Sequence, residues 1–501
     1  MTDAVPETHP LAQPLQGLWT LVHGPLAHWA EQRPHTLALQ TETHSYTFAQ
    51  LHAEVERRAD NLIAHQAPAM VLLDADQSTL ERVVGFLAII RSGRCAAVAD
   101  PDWPAAVRQR IESWLPTTPC SISQASATSP FYAGFTSGST GLPKGFVRHH
   151  RSWTESFRVS LQDFGAVAGL RTLAPGRISH SLFLFAAVQA LWNGSGAVLQ
   201  EKFSAARGLA TLALGETPCL VAVPSQLLLM LQWAAHRQLP PIAAVKLITI
   251  SGARWMRSHT AALRRLFPQA RIIEFYGASE ASFITWLDAD ESCSPQAVGR
   301  PFSNVELDIR PLSARSADLD TACVSHPSLD GLIYVRSPML FIDYMGDAQD
   351  RTGVLRDGPW LSVRDIGHID ERGMLCLAGR QSRMIVTQGK NLFPEEVENL
   401  LQSHPQIAHA SLHGQNDALR GMQVHAVIQW HETGKAQPSA LELGQWLRER
   451  MEAFKAPRHW WIAGDWPQTA SGKTDHARLG QALAARLAGQ TASVELMPWQ
   501  T

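Results

Sequence analysis

The chain has 501 residues, 45% of them hydrophobic and 18% charged, with a formal net charge of −2. That length exceeds one ordinary core and points to about two to four domains of a globular chain, not to a disordered or fibrous one. A charge so close to balance gives no electrostatic footprint for nucleic acid or an anionic membrane surface.

Residues 1–15 are rich in proline, and the opening MTDAVPETHPLAQPLQG lacks the basic start and apolar core of a secretory leader. The six cysteines are scattered, with no C-x-x-C and no zinc-ligand spacing. Buried thiols in a reducing compartment, and a cytoplasmic location, are expected. The longest apolar run, Leu182–Trp192, is too short to span a bilayer and contains Gln189.

Taken in order, Phe48–Ala64 places apolar residues at helical spacing with charges opposite. Met70–Asp74 reads as a strand, Leu80–Arg91 as a helix and Cys95–Ala99 as a second strand. Strand, helix and strand with short joins make a βαβ unit, which implies a parallel sheet. The pattern recurs with strands at Phe131–Phe135, Gly196–Leu199, Cys219–Val223 and Val245–Ile250. Helices are expected within Ala174–Gly194 and over Leu227–His236 and His259–Phe267. A strand over Arg271–Phe275 is expected to stop at Tyr276-Gly277. Ligands of open α/β sheets bind beyond the carboxyl ends of strands, so loops 136–145, 251–254 and 276–280 could share one site.

From Val298 to Gly379 short β-rich runs alternate with turns, which predicts a smaller antiparallel or barrel-like region. After Arg380 a separate β/α piece of roughly 120 residues begins. It holds a helix over Phe393–Gln402 with Pro394 at its start and Glu395 and Glu396 in its first turn.

Phe135–Gly145 reads FTSGSTGLPKG. Its glycines, Gly138, Gly141 and Gly145, let backbone amides turn into an anion-binding concavity. Thr136, Ser137, Ser139 and Thr140 add hydroxyl donors, and Lys144 adds a cation at the loop tip. The combination suits a polyphosphate. It is not a Walker A loop, because Lys144 lies between Pro143 and Gly145. SGKT at 471–474 fails the same test, since the first glycine would fall on Pro467.

Six motifs in order then resemble one family, the AMP-forming adenylate-forming enzymes: acyl-CoA synthetases, peptide-synthetase adenylation domains and luciferases. FTSGSTGLPKG resembles the phosphate loop of that family, and FYGASEAS (275–282) its Y-G-x-T-E motif with Ser279 for Thr. DGPWLSVRDIGHID (357–370) resembles its T-G-D segment, with Val363-Arg364 for Thr-Gly. GRQSRMIVTQGKNLFPEEVE (379–398) resembles its hinge motif, and FKAP (454–457) and PQTASGK (467–473) its two C-terminal motifs. YTFAQL (46–51) also fits, so the likeness runs over about residues 45–480.

The resemblance implies an α/β fold. A large N-terminal domain of parallel-type α/β subdomains plus a small β-rich subdomain spans 1–380. A hinge follows at 381–383, and a small mobile α+β C-terminal domain at 384–501. It implies ATP-dependent conversion of a carboxylic acid to an acyl-AMP with release of pyrophosphate, then transfer of the acyl group to a thiol. ATP and Mg²⁺ are implied, with coenzyme A or the phosphopantetheine of a carrier protein as acceptor.

By the same resemblance, Lys473 is the catalytic lysine of adenylation and Glu280 the Mg²⁺ ligand, a hard oxygen donor. Thr136, Ser137, Gly138, Ser139, Thr140, Gly141 and Lys144 face the phosphates. Ser251, Gly252 and Ala253 form the adenine-side loop, with Tyr276 stacking on the base and Gly277 and Ser279 beside it. Asp365, with two acceptor oxygens, takes the ribose hydroxyls, and Arg380 donates to the same sugar. Gly389 lines the thiol tunnel. The hinge residue falls at Ser382, where the family usually has Asp or Lys.

Amino-acid-activating members carry an Asp in an F-D-x-S motif, whereas SHSLFLFAA (179–187) has no acidic residue. An α-amino acid is therefore disfavoured, and fatty, aryl and dicarboxylic acids stay open. His180 occupies a place where acyl- and aryl-CoA ligases often have His. Phe183, Phe185, Val223, Trp255 and Phe283 could line an acyl pocket or form core. Arg254 could meet the second carboxylate of a diacid. A non-catalytic adenylate-binding relative is the alternative from another class. The presence of Lys473, Glu280 and Asp365 speaks against it, and Val363-Arg364 and Ser382 speak for it.

Overall fold

The structure, a computed structural model, describes residues 19–122, 124–136, 143–290, 292–294, 296–312, 330–346, 353–387, 390–417, 421–431, 437–469 and 473–499. The chain divides into two compact units. One holds Met1–Asp308, Tyr334–Val363 and Gly373–Leu375; the other holds Ile309–Ile333, Arg364–Arg372 and Cys376–Thr501.

The first unit is α/β, with two sheets. One runs in the spatial order Ala297–Pro301, Ser282–Asp288, Arg271–Ala278, Leu247–Ile250, Cys219–Ala222, Thr172–Ala174, Ala197–Leu199, Leu37–Gln40 and Ser45–Thr47. From Arg271–Ala278 to Leu37–Gln40 its neighbours are parallel. Helices Ser181–Trp192, Ala205–Ala213 and Pro224–Arg237 connect them, as parallel crossovers require. The second sheet runs Asp343–Met345, Lys144–His149, Pro130–Thr136, Cys95–Val98 and Met70–Leu73. Its last three strands are parallel, as the βαβ reading predicts.

Aromatic contacts link helices to both sheets of this unit. Trp153, on the helix His150–Phe164, lies 5.1 Å from Phe131 and 5.3 Å from Phe185, and Phe185 lies 5.2 Å from Phe283. Edge-on pairs of this kind add to the stabilisation from area burial and fix ring orientation.

Three sequence expectations change. The strand from Arg271 does not stop at Tyr276-Gly277; it runs to Ala278 and turns back antiparallel into Ser282–Asp288, with a register shift between Tyr276 and Gly277. Gly277 is what permits the shift, since a Cβ there would lie 2.2 Å from the Ser282 carbonyl oxygen. Lys144 is not at a loop tip; it sits in a strand, paired with Thr136. Pro224 opens its helix at the first turn, where its missing N–H costs nothing, and the helix does not wait for Leu227.

The second unit carries a six-stranded sheet. Gly421–Trp430 pairs with Ile407–Asp417 antiparallel and with His459–Ala463 parallel. Pro394–Gln402, Ala440–Arg448 and His476–Leu487 are its main helices. Apolar stripes on the first two, including Val397, Leu401, Leu443 and Leu447, enter one core with Leu412, Val424 and Ile428. Asp365–Ile369 forms a strand in the same unit, pairing with Gly331 and Leu332. Cys95, Cys120, Cys219 and Cys293 are free thiols. Among the described residues no helix is long and apolar enough to cross a membrane.

Candidate active site

In the first unit, candidate groups gather around the Arg271–Ala278/Ser282–Asp288 hairpin. Its turn carries Ser279 and Glu280, with Tyr276 and Gly277 at its base. Arg148 is buried beneath it and donates to the carbonyl oxygens of Ser279 and Met339 and to Ser152 Oγ. Burial pulls the guanidinium down to about 10, while Tyr132 and Glu280 act the other way; it is still a cation at neutral pH. Ser282 is held at φ 61, and its hydroxyl lies 2.8 Å from Ser156 Oγ. The turn is thus anchored from below at two points.

Glu280 is fixed from the side. The Tyr344 hydroxyl donates to Glu280 Oε1 at 2.6 Å, and the Glu280 carbonyl accepts from the Phe341 N–H at 2.8 Å. Lys144 Nζ stands 5.8 Å from the Tyr344 ring centre. A carboxylate with one oxygen bonded still has acceptor capacity for a hard cation. Among the described residues no group of three or more His, Cys, Asp or Glu could hold a metal. A Mg²⁺ at Glu280 would therefore depend on oxygens from a bound phosphate, the usual arrangement for that ion. Ser137, Gly138, Ser139, Thr140 and Gly141 lie outside the described residues, and Thr136 ends its strand beside Lys144.

Ser251–Ala253 follows the strand Leu247–Ile250, with Gly252 at φ +87 beside Val223. The next stretch is locked by a buried pair. Glu274 accepts the Trp255 N–H at 3.1 Å and pairs with Arg257, and the Trp255 indole donates to Thr260 at 2.9 Å. Arg254 is half-buried in the same loop.

His180 precedes the helix Ser181–Trp192, and its Nε2 lies 3.9 Å from Asp100 Oδ2. Ser179 donates to the same carboxylate oxygen at 2.8 Å, and Arg177 approaches the other at 3.6 Å. Asp100 was legible only as the residue that ends a strand before Pro101. Phe283 and Phe185 line a cavity of about 40 Å³ between this helix and the sheet. Phe183 instead presses on Gly176, where a Cβ would meet its ring at 2.0 Å, and Trp255 is in the core.

In the second unit Asp365 is 4% exposed at the start of its strand, and Arg380 Nε donates to its Oδ1 at 2.9 Å. Lys473 is charge-coupled to both. Its ammonium is held below the ordinary lysine value, by desolvation first and by the Arg380 cation second, with Asp365 opposing. Arg364 has φ 64, the left-handed region, at the place where the family motif has glycine. Ser382 lies in the single 3-10 turn Gln381–Arg383, and Gly389 lies outside the described residues. The next residue, Arg383, is anchored to Glu395 at 3.0 Å and Glu398 at 2.5 Å.

Comparisons with known proteins give the class of this fold. The AMP-binding enzyme family matches residues 106–345 and the AMP-binding enzyme C-terminal domain residues 396–473. The uncharacterized acyl–CoA ligase YhfT of Bacillus subtilis is 32% identical over 490 residues, covering 90% of this chain and 96% of that protein. A putative long chain fatty acid-CoA ligase, VraA, of Staphylococcus epidermidis is 27% identical over 447 residues, 86% of this chain and 92% of its own. In fold, o-succinylbenzoate CoA synthetase of Bacillus subtilis, solved with an acyl-adenylate intermediate, superposes with a TM-score of 0.76 at 24% identity over 91% of this chain and 97% of its own. The chain belongs to the AMP-binding enzymes.

Proposed function

We propose that this AMP-forming ligase activates a small carboxylic acid with ATP and passes the acyl group to coenzyme A. In the first half-reaction an acid oxygen attacks the α-phosphorus. The bond to the β-phosphate breaks, and pyrophosphate leaves with that electron pair. In the second the thiol sulfur attacks the acyl carbon, the thiol proton is released, and AMP leaves with the electrons of the cleaved C–O bond.

The observation that carries the reading is the buried Asp365 carboxylate paired with Arg380, with Lys473 in the same unit and within reach of both charges. Asp365 and Arg380 suit a ribose diol, as acceptor and donor. Lys473, as a cation, bridges the acid carboxylate and the α-phosphate and stabilises charge that grows in the transition state. Glu280, oriented by Tyr344, would hold Mg²⁺, which when bound would supply neutralisation of phosphate charge. Tyr276 and Ser251–Ala253 receive the adenine, and residues 136–144 the departing phosphates. His180, set by Asp100, flanks the acid. The segment 381–383 is the hinge between a domain at 1–380 and one at 384–501, and Gly389 belongs to the thiol path.

The test is acid-dependent ATP–pyrophosphate exchange. Lys473→Ala abolishes exchange while ATP binding persists in a direct binding measurement. Full exchange in that variant would sink the assigned role. Thioester formation with coenzyme A in the wild type then fixes the acceptor.

A further inference from the structure

Directly after Ser382 the chain is held by one guanidinium. Arg383 Nη1 donates to Glu395 Oε1 and to Glu398 Oε2, both at 3.0 Å, and its Nη2 donates to Glu398 Oε1 at 2.5 Å. The fork on Glu398 is bidentate, so it fixes orientation as well as charge. Glu398 is 4% exposed, and its Oε1 also accepts the Leu412 N–H at 2.6 Å. On the other side of Ser382, Gln381 is bonded to Arg364 at 2.9 Å. Ser382 itself is exposed, between two fixed neighbours.

The Glu398 carboxylate also reaches the element that carries Lys473. His476, three residues past Lys473, opens the helix His476–Leu487. Its Nδ1 lies 2.7 Å from Ser411 Oγ and 3.7 Å from Glu398 Oε1. A carboxylate only accepts, so the proton belongs on His476 Nδ1 and is donated to Ser411. The Ser411 proton then goes to His413 Nε2, 2.9 Å away. Both rings are lowered to about 3, by desolvation first and Arg383 second, so both are neutral at pH 7, as this relay requires. Backbone bonds close the Lys473 side: the Thr469 N–H donates to the Lys473 carbonyl at 2.7 Å, and the Asp475 N–H to the Pro467 carbonyl at 2.9 Å.

We propose that Arg383 is a positioning residue of the adenylation step: through Glu398, Ser411 and His476 it ties the hinge turn to the element that carries Lys473. This rests on the reading of Lys473 as the adenylation lysine. A shift of about 1 Å in such a group costs up to about 100-fold in rate. The thiol step does not use Lys473 and is spared.

The experiment uses the full chain. Arg383→Met keeps the stem and deletes the fork; Arg383→Lys keeps the charge. Backbone hydrogen exchange is followed over 473–479. ATP–pyrophosphate exchange is measured with acetate, octanoate, benzoate and phenylacetate as probe acids. Thioester formation is started separately, from chemically prepared acyl-adenylate and coenzyme A. In Arg383→Met, amide exchange over 473–479 is expected to quicken about 10-fold, with 440–448 unchanged. The kcat of pyrophosphate exchange falls about 10- to 100-fold, with the KM for ATP within about 2-fold and thioester formation within about 3-fold. Arg383→Lys recovers part of the loss. Ser411→Ala, a small change at the far end of the relay, gives the same split at about 3- to 10-fold and carries the test where Arg383→Met does not fold. Unchanged amide exchange over 473–479, undiminished pyrophosphate exchange, or an equal loss in both half-reactions overturns the inference and leaves the ligase reading standing. Wild-type pyrophosphate exchange with none of the probe acids, in protein that binds ATP, overturns the ligase reading and the inference with it.

Discussion

Arg364 and Gln381 clasp each other. Arg364 Nη1 donates to Gln381 Oε1 at 2.9 Å, and the Gln381 N–H donates to the Arg364 carbonyl at 3.0 Å. The two residues flank the Asp365–Arg380 pair, proposed to hold the ribose: Asp365 follows one, and Arg380 precedes the other. A clasp at this place holds the two strands that present Asp365 and Arg380 in register. Arg364 does this from φ 64, a backbone state that costs a side chain about 1–2 kcal/mol. The family's glycine would avoid that cost and forgo the side-chain bond.

The two contributions can be separated. Arg364→Gly loses a half-exposed charged hydrogen bond, worth about 1 kcal/mol after screening, but regains the strain. It is expected to be within about 1 kcal/mol of the wild type in urea unfolding. Arg364→Ala loses the bond and keeps the strain, so it should fall about 1 kcal/mol below the glycine variant. Equal stabilities for the two would remove the argument from backbone strain.

Tyr344 orients Glu280 by one hydrogen bond at 2.6 Å. Tyr344→Phe keeps the ring and deletes the donor. A metal-binding carboxylate that loses its orienting partner binds less tightly. The half-saturating Mg²⁺ concentration in pyrophosphate exchange should rise about 3- to 10-fold, with the rate at saturating Mg²⁺ little changed. An unaltered Mg²⁺ titration would mean that Glu280 does not serve the metal.

Arg257 and Glu274 form an ion pair whose side chains are 9% and 6% exposed. Arg257→Ala leaves the Glu274 carboxylate buried with the Trp255 N–H as its remaining strong donor. Breaking one side of such a pair costs about 3–5 kcal/mol. A loss of that size in chemical denaturation is expected, and Arg257→Ala with Glu274→Leu should recover part of it. A loss below about 1 kcal/mol would show that the pair is solvated.

The sequence made legible what depends on local pattern. The βαβ start and the parallel strands follow from periodicity and spacing, whereas the order of motifs, and the division into a large and a small part, were legible through the family resemblance. What stayed hidden depends on partners far along the chain. Tyr344 lies 64 positions from Glu280, in a stretch that resembles no motif. Asp100 lies 79 positions from Ser179. Gln189 stood out as the polar interruption of an apolar run, but its partner Ser160 sits on another helix. The Tyr276–Ala278 extension was missed because Tyr-Gly reads as a strand stop. Only the antiparallel return through Ser282 explains why Gly277 continues the ladder.

His150 gives a pH dependence with a definite sign. Its ring is 1% exposed, stacked on Phe131 at 4.8 Å, and its Nδ1 accepts the Val22 N–H at 3.2 Å. Burial, with the neighbouring His23 and His149, lowers it from 6.5 to about 3. Between about pH 6.5 and 3 the unfolded chain binds a proton that the folded chain refuses. Stability from this group is therefore intact above about pH 7 and declines as pH falls below about 6.5. By pH 4.5 the loss from His150 alone is about 2–3 kcal/mol. His23, lowered to about 4 by burial first and Arg91 second, adds in the same direction. Urea unfolding at pH 7, 6, 5 and 4.5 should show this slope. His150→Phe, less stable at pH 7 for want of the Val22 acceptor, should show a slope smaller by nearly one proton. A slope identical to the wild type would place the acid sensitivity elsewhere.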